Sequence, residues 1–285
     1  MTLSYPVPTP LEYFASLVQV GQGEAIALLE AAACIAHDAH PDMDVQAFLD
    51  EMDRLQARLA RRMPADAEPL LRLNVLNRFF YGELGFGANL NDFYAPENSY
   101  LHLVLGTRRG IPISLAVLWL ELAQGAADLK AYGVSFPGHF LVKVLLPGGQ
   151  AVLDPVTGHS LSREALGERL APFRAHEGAS AQEDVPLGLY LQAASTRDIL
   201  ARMLRNLKEI HRTRQDWNAL VAVQHRLIML LPDAWDEWRD RGLAYAELGQ
   251  PLLALEDLEA YLAHATGASD VPAIARHVKA LRAAG

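Results

Sequence analysis

The stretch Gly133-Val-Ser-Phe-Pro-Gly-His139-Phe-Leu-Val-Lys-Val-Leu-Leu-Pro147-Gly-Gly149-Gln-Ala-Val-Leu-Asp154-Pro-Val-Thr-Gly158 holds two apolar runs separated by a Pro-Gly-Gly turn. Short β-branched runs bounded by glycine and proline predict strands, and the tight turn predicts an antiparallel hairpin. His139 opens the first run and Asp154 closes the second, so the hairpin brings both to neighbouring strand ends. An imidazole base oriented by a carboxylate is what cysteine-type acyl transfer requires. The third member, a cysteine, is missing from this stretch. The chain's one cysteine, Cys34, lies in the alanine-rich helical segment Glu30-Ala-Ala-Ala-Cys34-Ile-Ala36. There it reads as a small buried helix residue. One thiol makes no internal disulfide, so cysteine usage does not point to an oxidising compartment.

With 285 residues the chain has length for about two domains, each with its own core. A hydrophobic content of 51% and a mean hydropathy of +0.06 suit a water-soluble helical protein rich in alanine and leucine. No apolar run approaches the ~18 residues of a membrane span. The start, Met1-Thr-Leu-Ser-Tyr5, lacks the basic and apolar regions of a signal peptide, so the expected location is the cytoplasm. A formal net charge of −9 argues against nucleic acid as a partner. Arg58, Arg61 and Arg62 read as the solvated face of a helix.

Around the hairpin the pattern is helical, which makes the expected class α+β. A helix begins at Leu11 after the proline-rich start, and Leu28, Leu29, Ala32 and Ile35 follow a 3.6-residue period. Asp44 is positioned to cap a helix over Val45–Met63, whose apolar stripe is Phe48, Met52, Leu55 and Leu59. A third helix is expected from Ala67 to Tyr81, then a loop from Leu90 to Tyr100. The segment Pro112–Gly125 is apolar on nearly every side, as a central buried helix would be. Pro112 suits its first turn. Ser114 falls in the same turn, where free backbone N–H groups favour negative charge. A buried helix start facing a His–Asp hairpin has the layout of a papain-like active site.

Four segments, Asn98-Ser-Tyr-Leu101, Arg108-Arg-Gly-Ile-Pro-Ile-Ser-Leu-Ala116, Phe136-Pro-Gly-His-Phe-Leu-Val142 and Leu153-Asp-Pro-Val-Thr-Gly158, carry a family resemblance. The region from Asn98 to Leu161 resembles the transglutaminase-like superfamily. More closely, the chain resembles the bacterial SirB-type proteins, in which such a domain precedes tetratricopeptide repeats. The resemblance implies a papain/transglutaminase-like core, a central helix packed on a small antiparallel sheet. His139 and Asp154 fall on the family's histidine and aspartate. Aligning Gly110 and Ala116 with the family's central helix puts Pro112 in the nucleophile position, and proline has no nucleophilic atom. Ser114 is the nearest hydroxyl. The resemblance therefore supports the fold and weakens the enzyme.

From Thr196 onward the pattern becomes helical hairpins. Trp238, Gly242, Tyr245, Gly249 and Ala254 fit the tetratricopeptide template, and Leu204, Leu220, Leu227 and Pro232 form a weaker repeat about 34 residues earlier. Lys208 stands where that first repeat would carry glycine. The expected domains are therefore 1–190, transglutaminase-like with a helical N-terminal region, and 196–285, tetratricopeptide-like. Two repeats fall short of the roughly three needed for independence. They should then pack against the first domain or a second chain, a homodimer included. Trp235 and Tyr245 are the candidate partner-binding residues. His37 and His40 stand three apart without a third ligand, so no metal is expected, and no nucleotide- or cofactor-binding motif is present. Two functions follow. The first is a non-catalytic module that binds a protein or peptide through the repeats or the His139 cleft. The second is a hydrolase or acyltransferase using Ser114, His139 and Asp154.

Overall fold

The computed structural model describes residues 8–19, 25–176, 186–265 and 267–284. The chain opens with helices α1 (Pro10–Val18), α2 (Leu28–Cys34), α3 (Val45–Ala60) and α4 (Pro69–Asn77). A two-residue strand β1 (Gly87–Ala88), α5 (Leu101–Thr107), strand β2 (Arg109–Gly110) and α6 (Pro112–Gly125) follow. Next come strands β3 (Ala131–Phe136), β4 (His139–Leu146) and β5 (Gly149–Leu153), then α7 (Arg163–His176) and α8 (Leu187–Tyr190). The remainder is α9 (Thr196–Arg214), α10 (Trp217–Leu230), α11 (Trp235–Glu247), α12 (Pro251–His264) and α13 (Val271–Ala284). The fold is thus α+β, a unit built on α6 and a small sheet, followed by helical repeats.

Two compact units emerge. The first comprises Ala27–Ala33 and Asp44–Leu200. In it Asp44 caps α3 as expected, its carboxylate accepting from the Ala47 N–H at 3.0 Å. The expected stripe Phe48, Met52, Leu55 and Leu59 is the buried face of that helix. The helix expected to end at Tyr81 instead passes from α4 into a π-helical turn over Arg78–Glu83, which buries Phe79 and Phe80. Every residue of α6 from Ile113 to Leu120 is buried, as its all-round apolarity demands.

The sheet has the antiparallel order β3-β4-β5, one strand more than the expected hairpin. Its register pairs Phe136 with His139 and Val142 with Leu153. One face contributes Val134, Phe136, Leu141 and Val152 to a core shared with Leu166 and Leu170 of α7. Strand alternation puts Phe140, Val142, Val144 and Leu153, all buried, on the other face. Helix α6 packs against β3 and β4, and its Gln124 amide donates to the Ala131 carbonyl at 2.8 Å. Gly133 is required in β3, because a Cβ there would stand 2.7 Å from the Phe140 ring.

The second unit comprises the described residues of Met1–Ile26, Cys34–Met43 and Ala201–Gly285. Two helical hairpins, α9–α10 and α11–α12, run into α13. Gly249 turns α11 into α12 in the left-handed conformation, φ 67°. Gly242 lets these two helices close up, since a Cβ there would lie 2.8 Å from Leu258. The repeats are expected to pack against other parts of the chain or a second copy, and two further helices pack on them. Helix α13 packs Ile274 and Val278 against Leu258 and Tyr261 of α12. Helix α1 packs on α10, with Phe14 wholly buried and the Arg226 guanidinium 5.5 Å over its ring. Arg226 is 1% exposed and pairs with Asp38.

Lys208, which replaces the template glycine of the first repeat, has a definite role here. Its ammonium bridges Glu237 at 2.5 Å and Asp240 at 2.6 Å. Glu237 is 1% exposed and also accepts from Arg205 at 3.1 Å. A buried carboxylate needs this pairing to stay charged.

Candidate functional site

Asp154 immediately follows Leu153, the last residue of β5 and the partner of Val142, and its N–H donates to the His159 carbonyl at 3.0 Å. His139 is half-buried at the start of β4. The carboxylate of Asp154 is engaged by α7 and by its own turn. One oxygen accepts from Arg169 of α7 at 2.8 Å, and the other accepts from the Val156 N–H at 3.0 Å. The second bond is an Asx turn that shapes Asp154–Gly158.

Helix α4 and the π-helical turn hold that segment from beneath. The Tyr81 hydroxyl donates to the Pro155 carbonyl at 3.0 Å. Burial pushes the Tyr81 pKa up, and the negative charge of Asp154 adds to the shift. Gly158 has φ 72°, and a Cβ there would lie 2.3 Å from the Tyr81 ring. Asn77 donates to the Gly158 carbonyl at 3.2 Å and accepts from the Trp119 indole at 3.0 Å. The Asp-Pro-Val-Thr-Gly motif thereby becomes one rigid corner, tied to α6 through Asn77.

At the start of α6, Pro112 occupies the first turn and Ser114 is wholly buried. The Ser114 hydroxyl donates to the Asn98 carbonyl at 2.7 Å and accepts from the Ile111 N–H at 3.1 Å. Asn98, itself 3% exposed, uses its side chain to hold the preceding loop, donating to the Asp92 and Phe93 carbonyls at 2.7 and 3.1 Å. Gly110 must be glycine, because a Cβ would stand 2.6 Å from Ser114 Oγ and 2.9 Å from Val104. Ser114 thus caps its own helix and ties it to Asn98. Hydrogen bonds join it to Asn98 and Ile111, not to His139. Ser114→Ala should cost about 1–3 kcal/mol, the usual penalty for leaving buried backbone groups unpaired. Urea denaturation of the full chain measures it.

The candidate partner-binding residues are occupied within the repeat unit. The Trp235 ring stacks on His264 at 3.7 Å and 5°. Tyr245 is buried and its hydroxyl meets His225 Nε2 at 2.7 Å. Burial holds the His225 pKa below its ordinary value, and the positive charge of Arg241 lowers it further. The folded-state value is depressed, so the unfolded chain takes up this proton first as pH falls. The stabilisation is complete above the unfolded value of about 6.5 and is lost as pH falls from there through the folded value. Melting temperature should therefore drop on acidification below neutrality, and His225→Phe should flatten that slope.

A cavity of about 610 Å³ lies within the repeat unit, bounded by α9, α10, α11 and α13. Sequence reasoning missed it because its walls come from helices far apart in the chain. Among the described residues no group of three or more His, Cys, Asp or Glu side chains is placed to hold a metal ion. His37 Nε2 bonds the Met43 carbonyl at 3.2 Å, and Cys34 is buried. No helix of the described residues is long and apolar enough to cross a membrane.

Comparison with known proteins agrees with this architecture. The model of the transglutaminase-like superfamily matches residues 46–205, and a tetratricopeptide-repeat model matches 207–279. A UPF0162 protein of Xylella fastidiosa strain Temecula1 is 37% identical over 84% of this chain and 84% of its own. UPF0162 protein PA3419 of Pseudomonas aeruginosa is 32% identical over 83% of this chain and 84% of its own. UPF0162 protein YchA of Escherichia coli K12 is 28% identical over 78% and 80%. A crystal structure of menin aligns over 90% of this chain and 70% of its own at 10% identity, with a TM-score of 0.41.

Proposed function

We propose that this chain, which belongs to the transglutaminase-like superfamily and to the UPF0162 family, is a non-catalytic protein- or peptide-binding module. On this reading the transglutaminase-like unit keeps the fold without the nucleophile, and the repeat unit receives the partner in the cytoplasm. The SirB-type assignment belongs to the same proposal. The observation that carries it is the start of α6. The resemblance puts Pro112, in the first turn of this helix, in the nucleophile position, and the neighbouring hydroxyl of Ser114 is buried and spent on backbone groups. A hydroxyl held this way cannot reach a substrate carbonyl without unpairing its own helix cap. Tetratricopeptide repeats support the binding half of the reading.

A serine-reactive fluorophosphonate probe tests it. The full chain should remain unlabelled, and Ser114→Ala should leave peptide binding unchanged. Labelling at Ser114, with turnover lost about a thousand-fold or more in Ser114→Ala, would establish the Ser114–His139–Asp154 hydrolase instead. His139→Ala separates the two binding surfaces. Binding that survives it belongs to the repeats, and binding lost with the fold intact belongs to the His139 face.

A further inference from the structure

The side chain of Gln224 is wholly buried on α10, yet neither its Oε1 nor its Nε2 has a hydrogen-bond partner. It lines the cavity of the repeat unit with Leu220 and Trp217, one and two helical turns earlier on the same face of α10. A buried amide left unpaired forfeits its hydration with nothing in return, so such groups are rare in folded proteins. An orphan acceptor beside an orphan donor, in one planar group, matches the C=O and N–H of another amide. His277 of α13 adds a third buried, unpartnered atom, its Nε2, to the same lining.

The charges of the cavity narrow the ligand. Its three cations are each held by carboxylates of the unit. Lys208 bridges Glu237 and Asp240, and Arg212 contacts Glu209 at 2.6 Å. Arg239 contacts Asp240 at 2.6 Å and Asp270 at 2.7 Å. Lys208 and Arg239 are thus each shared between two carboxylates, and Arg212 pairs with its helix neighbour Glu209. Trp217, Leu220, Leu243 and Ala244 supply an apolar wall beside the amide. A volume of about 610 Å³ falls within the range of ligand sites, about 300–1,000 Å³.

We propose that this cavity takes an uncharged internal stretch of polypeptide, with Gln224 pairing to one backbone amide and the apolar wall receiving the neighbouring aliphatic side chain. The inference rests on the binding reading above and names its ligand. It excludes recognition through a terminal carboxylate.

The test is an NMR titration of the isotope-labelled full chain with N-acetyl-leucine N-methylamide, one aliphatic side chain between two peptide groups. Saturable shifts are expected at the Gln224 side-chain amide and the Trp217 indole. N-acetyl-leucine as the free acid should bind at least ten-fold more weakly. Gln224→Leu should weaken the amide probe at least ten-fold while melting no lower than the parent, because it removes an unpaired polar group. Gln224→Met serves if the leucine variant does not fold. Equal binding of the free acid, unchanged affinity in the Gln224 variants, or no saturable shift at the cavity would each overturn the proposal. Longer peptides that bind with shifts confined elsewhere would overturn the cavity assignment while leaving the binding reading in place.

Discussion

Lys208→Ala is expected to cost the repeat unit about 3–5 kcal/mol, the range for stripping the partner from a buried charge. Glu237, at 1% exposure, would keep only Arg205, whose own side chain is 48% exposed. Asp240 would keep Arg239. The full cost should therefore fall near the lower end of that range. Three of the four tryptophans, Trp217, Trp235 and Trp238, lie in this unit, so urea unfolding followed by tryptophan fluorescence reports on it directly. Lys208→Met combined with Glu237→Leu should recover most of the loss, since an apolar pair replaces an ionic one without leaving a lone charge. Little loss in the single variant would show that Glu237 is neutral or hydrated. Burial alone would lower the Lys208 pKa, but hydrogen bonds to Asp240 and Glu237 outweigh it and the net shift is upward. The pair's contribution is then complete below the unfolded lysine value of about 10.4 and is lost as pH rises through the folded one.

A fragment beginning at Ser195 should not fold cooperatively. It lacks α1, and with it the wholly buried Phe14 and Val18 that cover α10. It also lacks Asp38, the carboxylate that pairs with Arg226. Arg226 would then carry an uncompensated charge on a helix face that is otherwise apolar. Within the full chain, Phe14→Ala removes part of the same cover and should cost about 3–5 kcal/mol. Circular dichroism should show the fragment helical but without a sharp melt. A monomeric fragment with a cooperative transition would mean that α1 is dispensable.

The parts of this fold legible in the sequence were those fixed by local chemistry. Asp44 announces its helix by position, α6 by unbroken apolarity, and the β4–β5 hairpin by two apolar runs around Pro147–Gly149. Strand β3 was not legible because Gly133 and Ser135 interrupt its apolar pattern. The glycine there answers to the Phe140 ring across the strand, a contact invisible locally. The pairing of α1 with α10 was hidden for the same reason, since nothing in either segment names the other. At the candidate site Arg169, which reaches Asp154 from α7, could not be read, because no local pattern joins that helix to the hairpin. The environment of Ser114 depends on the Asn98 carbonyl, a backbone atom that no side-chain pattern signals.

The contact between Asp38 and Arg226 spans 188 residues of chain. Ribosomes add about 5–20 residues per second, so α1 and the Asp38 turn leave the ribosome roughly 10–40 s before the helix they cover. All of Asp44–Leu200 is synthesised in that interval and can fold first, because with Ala27–Ala33 it forms a compact unit of its own. Through the same interval Phe14 and Val18 stay exposed to chaperones and proteases. Nascent chains stalled before Trp217 should be cut near α1, and chains stalled well beyond Leu230 should resist. Helix α1 is protected only once α10 has been made.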